Sequence, residues 1–317
     1  MSLTSEVKHK AVELGFDIVG VTDAAPLAAE HVEKLKEWLD RGYAGRMDYM
    51  HKNLEKRISP GRLLPGAKSV ICVGLNYHRQ EQPDRPGNSA APAGRVANYA
   101  RYQDYHLFIK RLLRDLTEFI KSGSGQNVTF KTCVDSVPIA ERSFAARAGL
   151  GFIGKNHMLI NPELGPEILL GEIVTDLELE PDETVAVNCA SCDRCIRACP
   201  TAALRADGQL DAARCISYLT IEHTGPLDAE LTPKVENNLF GCDRCVLACP
   251  YYSRAPACAN KALRHYPQRS ALNLNEILTL SEESFRVRFA DSPIKRTGLQ
   301  ALKRNAEICL KNASQPN

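Results

Sequence analysis

The chain has 317 residues, of which 44% are hydrophobic and 25% are charged. These proportions are ordinary for globular proteins and argue against a disordered, a collagen-like or a membrane-spanning chain. The longest apolar runs, such as residues 69–75, fall far short of the ~20 residues that cross a bilayer. The first ten residues lack an apolar export core and a twin-arginine pair, so we expect a cytoplasmic protein with no membrane partner.

The charge of the chain is balanced overall, with 40 basic and 38 acidic side chains, but it is unevenly distributed. Residues 1–180 are neutral, residues 181–260 carry 7 basic and 10 acidic side chains, and residues 261–317 carry 10 basic and 5 acidic side chains. Cysteines are concentrated in the middle part. We therefore predict a first domain over 1–180, a second domain over 181–260 and a basic helical tail over 261–317.

Hydrophobic periodicity in the first region predicts alternating helices and strands. The predicted elements are a helix over 4–14, a strand over 16–21, helix 28–39, strand 69–75, helix 105–121, strand 128–134, helix 138–148, and extended segments over 158–160 and 167–174. This alternation indicates an α/β (α+β) domain in which a sheet packs between helices. The proline-rich segment 80–94 predicts an exposed loop or lid.

The chain contains twelve cysteines and no export signal. Disulfides are disfavoured in reducing surroundings, where clustered thiols more often hold a metal. One run starts at Cys189 with the spacing C-x2-C-x2-C-x3-C-P, and a second run starts at Cys242 and repeats its last part. Bacterial ferredoxins with two 4Fe-4S clusters have this spacing, and in them the last cysteine of a run ligates the other cluster.

The ferredoxin rule assigns ligands to both clusters. One cluster takes Cys189, Cys192, Cys195 and Cys249. The other takes Cys199, Cys242 and Cys245 and lacks a fourth ligand, for which the nearest unassigned cysteine upstream is Cys215. A zinc site is the alternative, because C-x2-C pairs also bind zinc. The repeated cysteine-proline run with eight thiols favours two 4Fe-4S clusters.

The segment from Gly149 to Gly154 matches the G-x-G-x-x-G pattern of dinucleotide-binding folds. That pattern requires a strand before it and a helix after it. Here a predicted helix precedes it and an extended segment follows. We therefore interpret these glycines as a turn in which the missing side chains let the backbone lie against another segment or a planar ligand.

Asp135 follows the predicted strand 128–134 and precedes a predicted helix start. A carboxylate in this position lies at the sheet edge where α/β folds bind their ligands, so it is a candidate acid. The competing interpretation is a helix N-cap, a position that aspartate favours. Burial beside a large ligand would raise the pKa of this carboxyl and a helix N-terminus would lower it, so both interpretations stay open.

Several strings together resemble the epoxyqueuosine reductase family of cobalamin-dependent iron–sulfur enzymes. Besides both cysteine runs, they are YMHKNLEKR (49–57), PGAKSV (65–70), DYH (104–106), VDSVPIAER (134–142), RAGLGFIGKN (147–156) and CISYLTIE (215–222). The resemblance extends from the first residues to about residue 305. It is far more specific than the ferredoxin spacing alone.

The resemblance implies a cobalamin-binding α/β catalytic domain fused to a two-cluster ferredoxin domain, with the corrin held between them. It implies that Asp135 is the proton donor, and it agrees with the cluster ligands assigned from spacing. The residues that it places at the cobalamin are Arg57, Asp135, Lys155, Asn156, Ser217 and Asp243.

The implied reaction is reduction of epoxyqueuosine to queuosine at the wobble position of tRNA, the last step of queuosine synthesis. An external low-potential donor would supply electrons that the clusters pass singly to the cobalt. We expect a tRNA partner and a monomeric chain.

The basic tail has two interpretations. Many family members continue into a C-terminal helical-repeat extension that helps hold tRNA, whereas this sequence ends at Asn317. The tail could supply phosphate contacts in its place, or it could be a solvated helix face. The side chains concerned are Arg286, Arg288, Lys295, Arg296, Lys303 and Arg304.

Two alternative functions share some of these features. A corrinoid iron–sulfur reductive dehalogenase would pair a corrin with two clusters in the same way, although the lack of an export signal and the surroundings of Asp135 count against it. An electron-transfer protein of the ferredoxin type would use the clusters with no corrin and no substrate of its own.

Overall fold

The computed structural model describes residues 2–79 and 91–314. Most of the predicted loop or lid over 80–94 lies outside these residues, and its described end belongs to a strand that begins at Ala93. None of the helices in the described part of the chain combines the length and the apolar character that crossing a bilayer requires.

The strands of the described residues are β1 (Ile18–Asp23), β2 (Ser69–Asn76), β3 (Ala93–Val96), β4 (Phe130–Cys133), β5 (Phe152–Ile153), β6 (Leu159–Ile160), β7 (Ile168–Thr175), β8 (Asn238–Phe240) and β9 (Ala271–Asn273). The largest sheet has the order β1-β2-β7-β4, and its neighbouring strands are all antiparallel. A second sheet has the order β8-β3-β9, and β5 pairs with β6.

The helices of the described residues are α1 (Leu3–Glu13), α2 (Ala29–Asp40), α3 (Asp48–His51), α4 (Leu54–Ile58), α5 (Tyr105–Ser124), α6 (Glu141–Arg147), α7 (Arg194–Arg197), α8 (Ile216–Ile221), α9 (Arg244–Leu247), α10 (Leu274–Thr279), α11 (Glu282–Arg288) and α12 (Gly298–Ala313). The helices and strands predicted for the first region are confirmed, with ends shifted by a few residues. The described part of the tail contains the helices α10, α11 and α12, as predicted, and also strand β9.

Helix α5 shows how the sequence pattern determines an element. Its buried apolar side chains recur every three or four residues and form one stripe toward the sheet: Phe108, Ile109, Leu112, Leu113, Leu116 and Ile120. Asp104 caps the N-terminus by accepting a hydrogen bond from the amide of His106. Gly125 ends the helix with a φ of 65°, in the left-handed region that glycine adopts without steric cost.

The four-stranded sheet packs between helices, as predicted. On one face, Val7 of α1 and Ile109 of α5 join Val73 of the sheet in a single apolar core. On the other face, Phe144 of α6 packs in a core with Val174. Both faces of the sheet are therefore removed from water, which explains why β2 is buried along its whole length.

The three-stranded sheet joins distant parts of the chain. It takes β3 from the first predicted region, β8 from the second and β9 from the third. Its core contains Val96, Phe240 and Leu272 together with Leu302 of α12. The three regions thus share one sheet, and their boundaries at 180 and 260 stay a prediction.

The glycine run over 149–154 is a close-approach turn. Helix α6 precedes it and β5 begins within it, the reverse of the order in a dinucleotide-binding loop. A Cβ at Gly151 would lie 2.3 Å from the carbonyl oxygen of Ile160. A Cβ at Gly149, whose φ is 77°, would lie 2.5 Å from the carbonyl oxygen of Glu183. These glycines therefore make room for neighbouring backbone, one of the two uses that the sequence suggested.

We expect Gly151→Ala to destabilise the protein by about 3 kcal/mol, because a Cβ so close to a backbone carbonyl forces the turn apart. Thermal unfolding of protein purified without oxygen measures the loss. Gly123→Ala is the matched control, because a Cβ there meets only Leu3 at 4.0 Å and lies in α5, where alanine is favoured. Equal melting temperatures for Gly151→Ala and the unaltered protein would contradict the close approach.

Candidate active site and metal centres

Eight cysteines, the seven of the two runs and Cys215, fall into two groups of four. In the first group, burial raises the pKa of the Cys249 thiol, and the nearby thiols of Cys189 and Cys192 raise it further. Burial and the same two thiols also raise the pKa of Cys195. The fold therefore brings the last cysteine of the second run to the first three of the first run, which is the combination that the spacing predicts.

Cys215 belongs to the second group. Burial raises the pKa of the Cys245 thiol well above its ordinary value, and Cys215, Cys242 and Cys199 raise it further. Burial raises the pKa of Cys242 to about 12, with Cys215 again contributing. Iron binds thiolates, so the assembly of a cluster on these thiols would release their protons. A site for a single metal ion is a different arrangement. Among the described side chains, no three His, Cys, Asp or Glu residues are placed to hold one such ion together.

Lys155 holds the loop of the first cysteine run. Its backbone amide donates a hydrogen bond to Sγ of Cys189 at 3.5 Å. Its Nζ donates to the carbonyl oxygens of Ala190 and Cys192, both at 2.9 Å. Donors to a ligand sulfur are among the features that set the potential of a cluster. The position of Lys155 is therefore at the first cysteine group.

A cavity of about 470 Å³ borders the second cysteine group. All four cysteines of that group reach its wall, and the described wall contains no cysteine of the first group. Asp135 lies in the same wall. So do three of the residues that the resemblance places at the cobalamin, namely Asn156, Ser217 and Asp243. The remaining two, Arg57 and Lys155, are not among the described wall residues.

Asp243 is a partly buried residue of this wall. Its Oδ2 accepts a hydrogen bond from the amide of Asn98 at 2.7 Å. Burial raises the pKa of this carboxyl to about 6. Nearby, Nδ2 of Asn156 donates to the carbonyl oxygen of Cys245 at 3.4 Å, which ties the cavity wall to the second cysteine run.

Buried nitrogen atoms around the cavity lack partners. Within the described part of the chain, Nε2 of His157 and Nε of Arg244, both wall residues, make no hydrogen bond. Nε of Arg57 is likewise buried and unpaired among the described residues, and its guanidinium is within electrostatic reach of Asp135. Buried polar atoms are rarely left unpaired in folded proteins. The surroundings of the cavity therefore fit a large ligand with polar groups at its rim.

Asp135 lies in a strained turn between β4 and α6. Its φ of 54° is in the left-handed region, which is uncommon for a residue other than glycine. Its amide donates to Oε1 of Glu141 at 2.6 Å, whereas the N-cap of α6 is Ala140 and makes no side-chain hydrogen bond. The helix-cap interpretation of Asp135 is therefore wrong. Because the sheet is antiparallel, this turn, and not the ligand edge of a parallel sheet, places the carboxylate in the cavity wall.

Two cations keep Asp135 ionised. Its Oδ2 lies 3.0 Å from Nε2 of His106 and 3.1 Å from Nη1 of Arg296. Desolvation would raise the pKa of Asp135, but the hydrogen bond and charge of His106 and the charges of Arg296 and Arg142 outweigh it and lower that pKa. Before it reacts, this carboxyl therefore has no proton of its own to give.

Several basic residues of the tail form ion pairs or hydrogen bonds with other parts of the protein. Nη2 of Arg296 pairs with Glu222 at 2.7 Å, and Lys295 pairs with Asp104 at 2.9 Å. Arg304 donates to the carbonyl oxygens of Leu219, His223 and Gly225. For Lys295, Arg296 and Arg304, the solvated-face interpretation of the tail is therefore wrong, because their charges meet partners inside the protein.

Two glutamates lie behind Asp135, one fully buried and one partly buried. Glu172 of β7 is fully enclosed, and burial followed by the charge of Glu141 raises its pKa well above the ordinary value. Burial and the charge of Asp135 raise the pKa of Glu141 to about 7. The glutamate pair therefore retains a proton at neutral pH.

Sequence reasoning did not single out several residues of this site. His106 lies in the DYH string, and the signal that points to it is a carboxylate two positions earlier at a helix start. His157 directly follows Asn156, and Arg244 lies within the second cysteine run. Glu141 lies in the VDSVPIAER string, but nothing in its local sequence indicates that it interacts with the buried Glu172.

Comparison with known proteins agrees with this geometry. Residues 57–136 match the family model described as epoxyqueuosine reductase QueG, DUF1730, and residues 188–252 match a 4Fe-4S double cluster binding domain. An epoxyqueuosine reductase from Leadbetterella byssophila is 38% identical over 302 residues, which are 95% of this chain and 96% of that protein. The chain belongs to the epoxyqueuosine reductase family.

Solved structures of epoxyqueuosine reductases have the same fold. One, bound to an epoxyqueuosine-modified tRNA-Tyr stem loop, gives a TM-score of 0.90 at 32% identity and covers 98% of this chain and 81% of that one. Another, from Bacillus subtilis with its catalytic aspartate loop swung out of the active site, gives 0.90 at 31% identity with the same coverage. The predicted fold class and the oxidoreductase assignment are confirmed. Epoxyqueuosine reduction is favoured over the dehalogenase and electron-carrier alternatives, and the double-cluster match favours iron over zinc.

We expect Cys215→Ser to lose about half of the bound iron, because it removes one thiol from the second cysteine group and leaves the first group intact. Iron per protein, measured after purification without oxygen, tests this. Cys258→Ser is the matched control, since Cys258 is partly buried and lies outside both groups. An unchanged iron content in Cys215→Ser would remove Cys215 from the ligand set.

Proposed function

We propose that this protein reduces epoxyqueuosine to queuosine in the anticodon of tRNA, using two 4Fe-4S clusters and cobalamin. The observation that carries the proposal is the single cavity that borders both the second cysteine group and Asp135. The family member bound to an epoxyqueuosine-modified tRNA stem loop supports tRNA as the substrate. A tRNA substrate also favours the cytoplasm as the site of the reaction.

The two cysteine groups would hold the two clusters. The first cluster takes Cys189, Cys192, Cys195 and Cys249, and the second takes Cys199, Cys215, Cys242 and Cys245. An external low-potential donor would reduce the first cluster, and the second would deliver electrons to the cavity, because only the second group lies in the described cavity wall. Transfer of single electrons suits 4Fe-4S clusters of low potential.

Cobalamin would occupy the cavity. Asn156, Ser217 and Asp243 would contact it from the wall, and the unpaired nitrogen of Arg57 would hydrogen-bond to its polar rim. When bound, cobalamin supplies a strongly reducing cobalt centre that delivers electrons to the epoxide. The contacts of Lys155 support a role at the first cluster in place of the cobalamin contact that the resemblance implies.

Asp135 would protonate the epoxide oxygen as its bond to carbon opens. The complete reaction consumes two electrons and two protons, releases the oxygen as water and leaves a carbon–carbon double bond. The Bacillus subtilis structure, in which a catalytic aspartate loop is swung out of the active site, supports an aspartate on a movable loop. The strained φ of Asp135 is consistent with such a loop, because strain of this kind concentrates at functional sites.

The modified base must leave the anticodon loop to reach the cavity. Bases in single-stranded loops are accessible to proteins, and enzymes that modify bases turn them into an enclosed pocket. The part of the cavity beside Asp135 and His106 would receive the epoxide ring.

The function is tested by incubating the protein without oxygen with cobalamin, a strong reductant and tRNA that contains epoxyqueuosine. We expect nucleoside mass analysis to show the loss of one oxygen atom, and no loss when cobalamin is omitted. Removal of halogen from an aromatic compound, with no change in the tRNA, would support the dehalogenase alternative. Intact clusters with neither activity and no bound corrinoid would support the electron carrier.

We expect Asp135→Asn to lower the rate of epoxide reduction by at least about 100-fold, because an amide cannot relay a proton as a carboxyl does. Single-turnover reduction of the modified tRNA measures the rate, with iron and cobalamin contents determined on the same sample. Asp115→Asn, which alters an exposed aspartate on α5, is the control. A rate near normal in Asp135→Asn with both cofactors present would refute the assignment.

A further inference from the structure

The position of His106 between two carboxylates gives Asp135 a source of protons. Nε2 of His106 lies 3.0 Å from Oδ2 of Asp135, and Nδ1 lies 2.7 Å from Oδ1 of Asp104. A ring in this position satisfies both carboxylates only when both of its nitrogens carry hydrogen, because each must donate a hydrogen bond. The resting site therefore pairs an ionised aspartate with a protonated histidine.

We propose that His106 is a positioning residue that stores a proton and passes it through Asp135 to the epoxide oxygen. This inference rests on the proposed reduction of epoxyqueuosine. Asp135 remains the group that touches the substrate, and His106 acts through it. Both side chains line the cavity, so the path from the ring to the carboxyl and on to the substrate stays within one enclosed site.

The start of α5 fixes the ring in place. Asp104, the N-cap of this helix, accepts hydrogen bonds from both the amide and the ring of His106. The ring of Tyr105 stacks on the imidazole, with centroids 4.1 Å apart and planes inclined by 25°. Asp104 is buried and is itself paired with Lys295. The hydrogen bond of the ring to Asp104 and the stacking of Tyr105 therefore hold the imidazole toward Asp135.

The charges around the ring favour its protonated form. Burial lowers the pKa of His106, but the hydrogen bonds to Asp104 and Asp135 and the charges of these two residues raise it to about 9. The charged and titratable groups that face Asp104, His106 and Asp135 from neighbouring elements are Lys295 and Arg296 of the tail, Arg142 and Glu141 of α6, Glu172 of β7, Arg57 of α4, Tyr49, Tyr99, and Glu222 behind Arg296. The ring therefore carries a proton throughout the neutral range, whereas Asp135 does not.

Transfer of the proton from His106 through Asp135 is favourable in free energy when the proton ends on the substrate oxygen. An alkoxide formed as the epoxide opens is a much stronger base than the carboxylate of Asp135, so a proton that reaches Asp135 moves on at once. In this step the bond between oxygen and carbon breaks, oxygen takes the bonding pair, and the carbon receives the two electrons that the reaction consumes. Asp135 passes to that oxygen the proton that it takes from His106, and His106 is left neutral. The two electrons of the overall reaction come from the external donor through the clusters, and His106 accounts for the first of its two protons.

The pH dependence of single-turnover reduction tests this role. We expect the rate of the unaltered protein to be level through neutral pH and to fall tenfold per pH unit above about 9, as the ring loses its proton. In Asp104→Asn, which keeps a capping oxygen and removes the charge, the falling limb moves to lower pH by about one unit. A merely structural Asp104 would lower the rate at every pH and leave the limb in place, and that result would overturn the inference.

A second measurement reports the proton on His106 without turnover. Exchange of the ring C2 hydrogen with deuterium, followed by mass spectrometry of the peptide, gives a titration midpoint for this one histidine. We expect the midpoint near 9 in the unaltered protein and a lower value in Asp104→Asn. A midpoint near the ordinary 6.5 in the unaltered protein would overturn the inference.

The histidine itself provides the third test. We expect His106→Gln, which keeps a hydrogen-bond donor, to reduce the rate at pH 7 by about 100-fold and to lose the falling limb near pH 9. A rate near normal in this variant would overturn the inference. If the unaltered protein reduces no epoxyqueuosine at any pH, the proposed function fails. If it is active and the limb does not move in Asp104→Asn, only the role of His106 fails.

Discussion

The proposed chemistry of this protein depends on one constraint: the second cysteine group and the carboxylate of Asp135 must border the same cavity. The proposed reduction brings electrons and protons to one epoxide, and the second cysteine group and Asp135 border one cavity. The chain supplies them from distant positions: Cys215 and Cys242 come from the middle of the sequence, and Asp135 follows β4 of the first sheet. The small sheet β8-β3-β9 connects these parts, and Cys242 follows β8 by only two residues.

The charged neighbours of Asp135 determine the position and the ionisation state of its carboxylate. His106 and Arg296 both lie near its Oδ2, so they hold the carboxylate in place and keep it ionised. Arg296 belongs to the tail, and its neighbour Lys295 pairs with Asp104, the residue that orients His106. One turn of the tail, Pro293–Thr297, therefore contacts both ends of the Asp104–His106–Asp135 chain. Part of the positive surplus of residues 261–317 thus acts inside the protein.

The sequence predicted the parts of this protein that depend on local spacing. Short intervals within the cysteine runs limit where each thiol can reach, so the first group and three members of the second could be predicted, and apolar periodicity located the sheet and the helices that cover it. Asp135 was found through a rule for parallel sheets that this antiparallel sheet does not obey. The contacts of Asp135 with His106 and Arg296 join residues 29 and 161 positions apart, and no local pattern indicates such pairs.

The two glutamates behind Asp135 connect the state of Asp135 to a second titrating group. The charge of Asp135 is one of the causes that raise the pKa of Glu141 to about 7, so a proton placed on Asp135 makes Glu141 more acidic. The charge of Glu141 in turn raises the pKa of the neighbouring Glu172, so the two carboxyls do not titrate independently. Asp104, at the other end of the Asp104–His106–Asp135 series of contacts, is different. It interacts with Lys295 and His106 and lies outside the cluster of carboxyls formed by Asp135, Glu141 and Glu172. A charge change at Asp104 therefore acts on the histidine proton without first altering the carboxyl cluster.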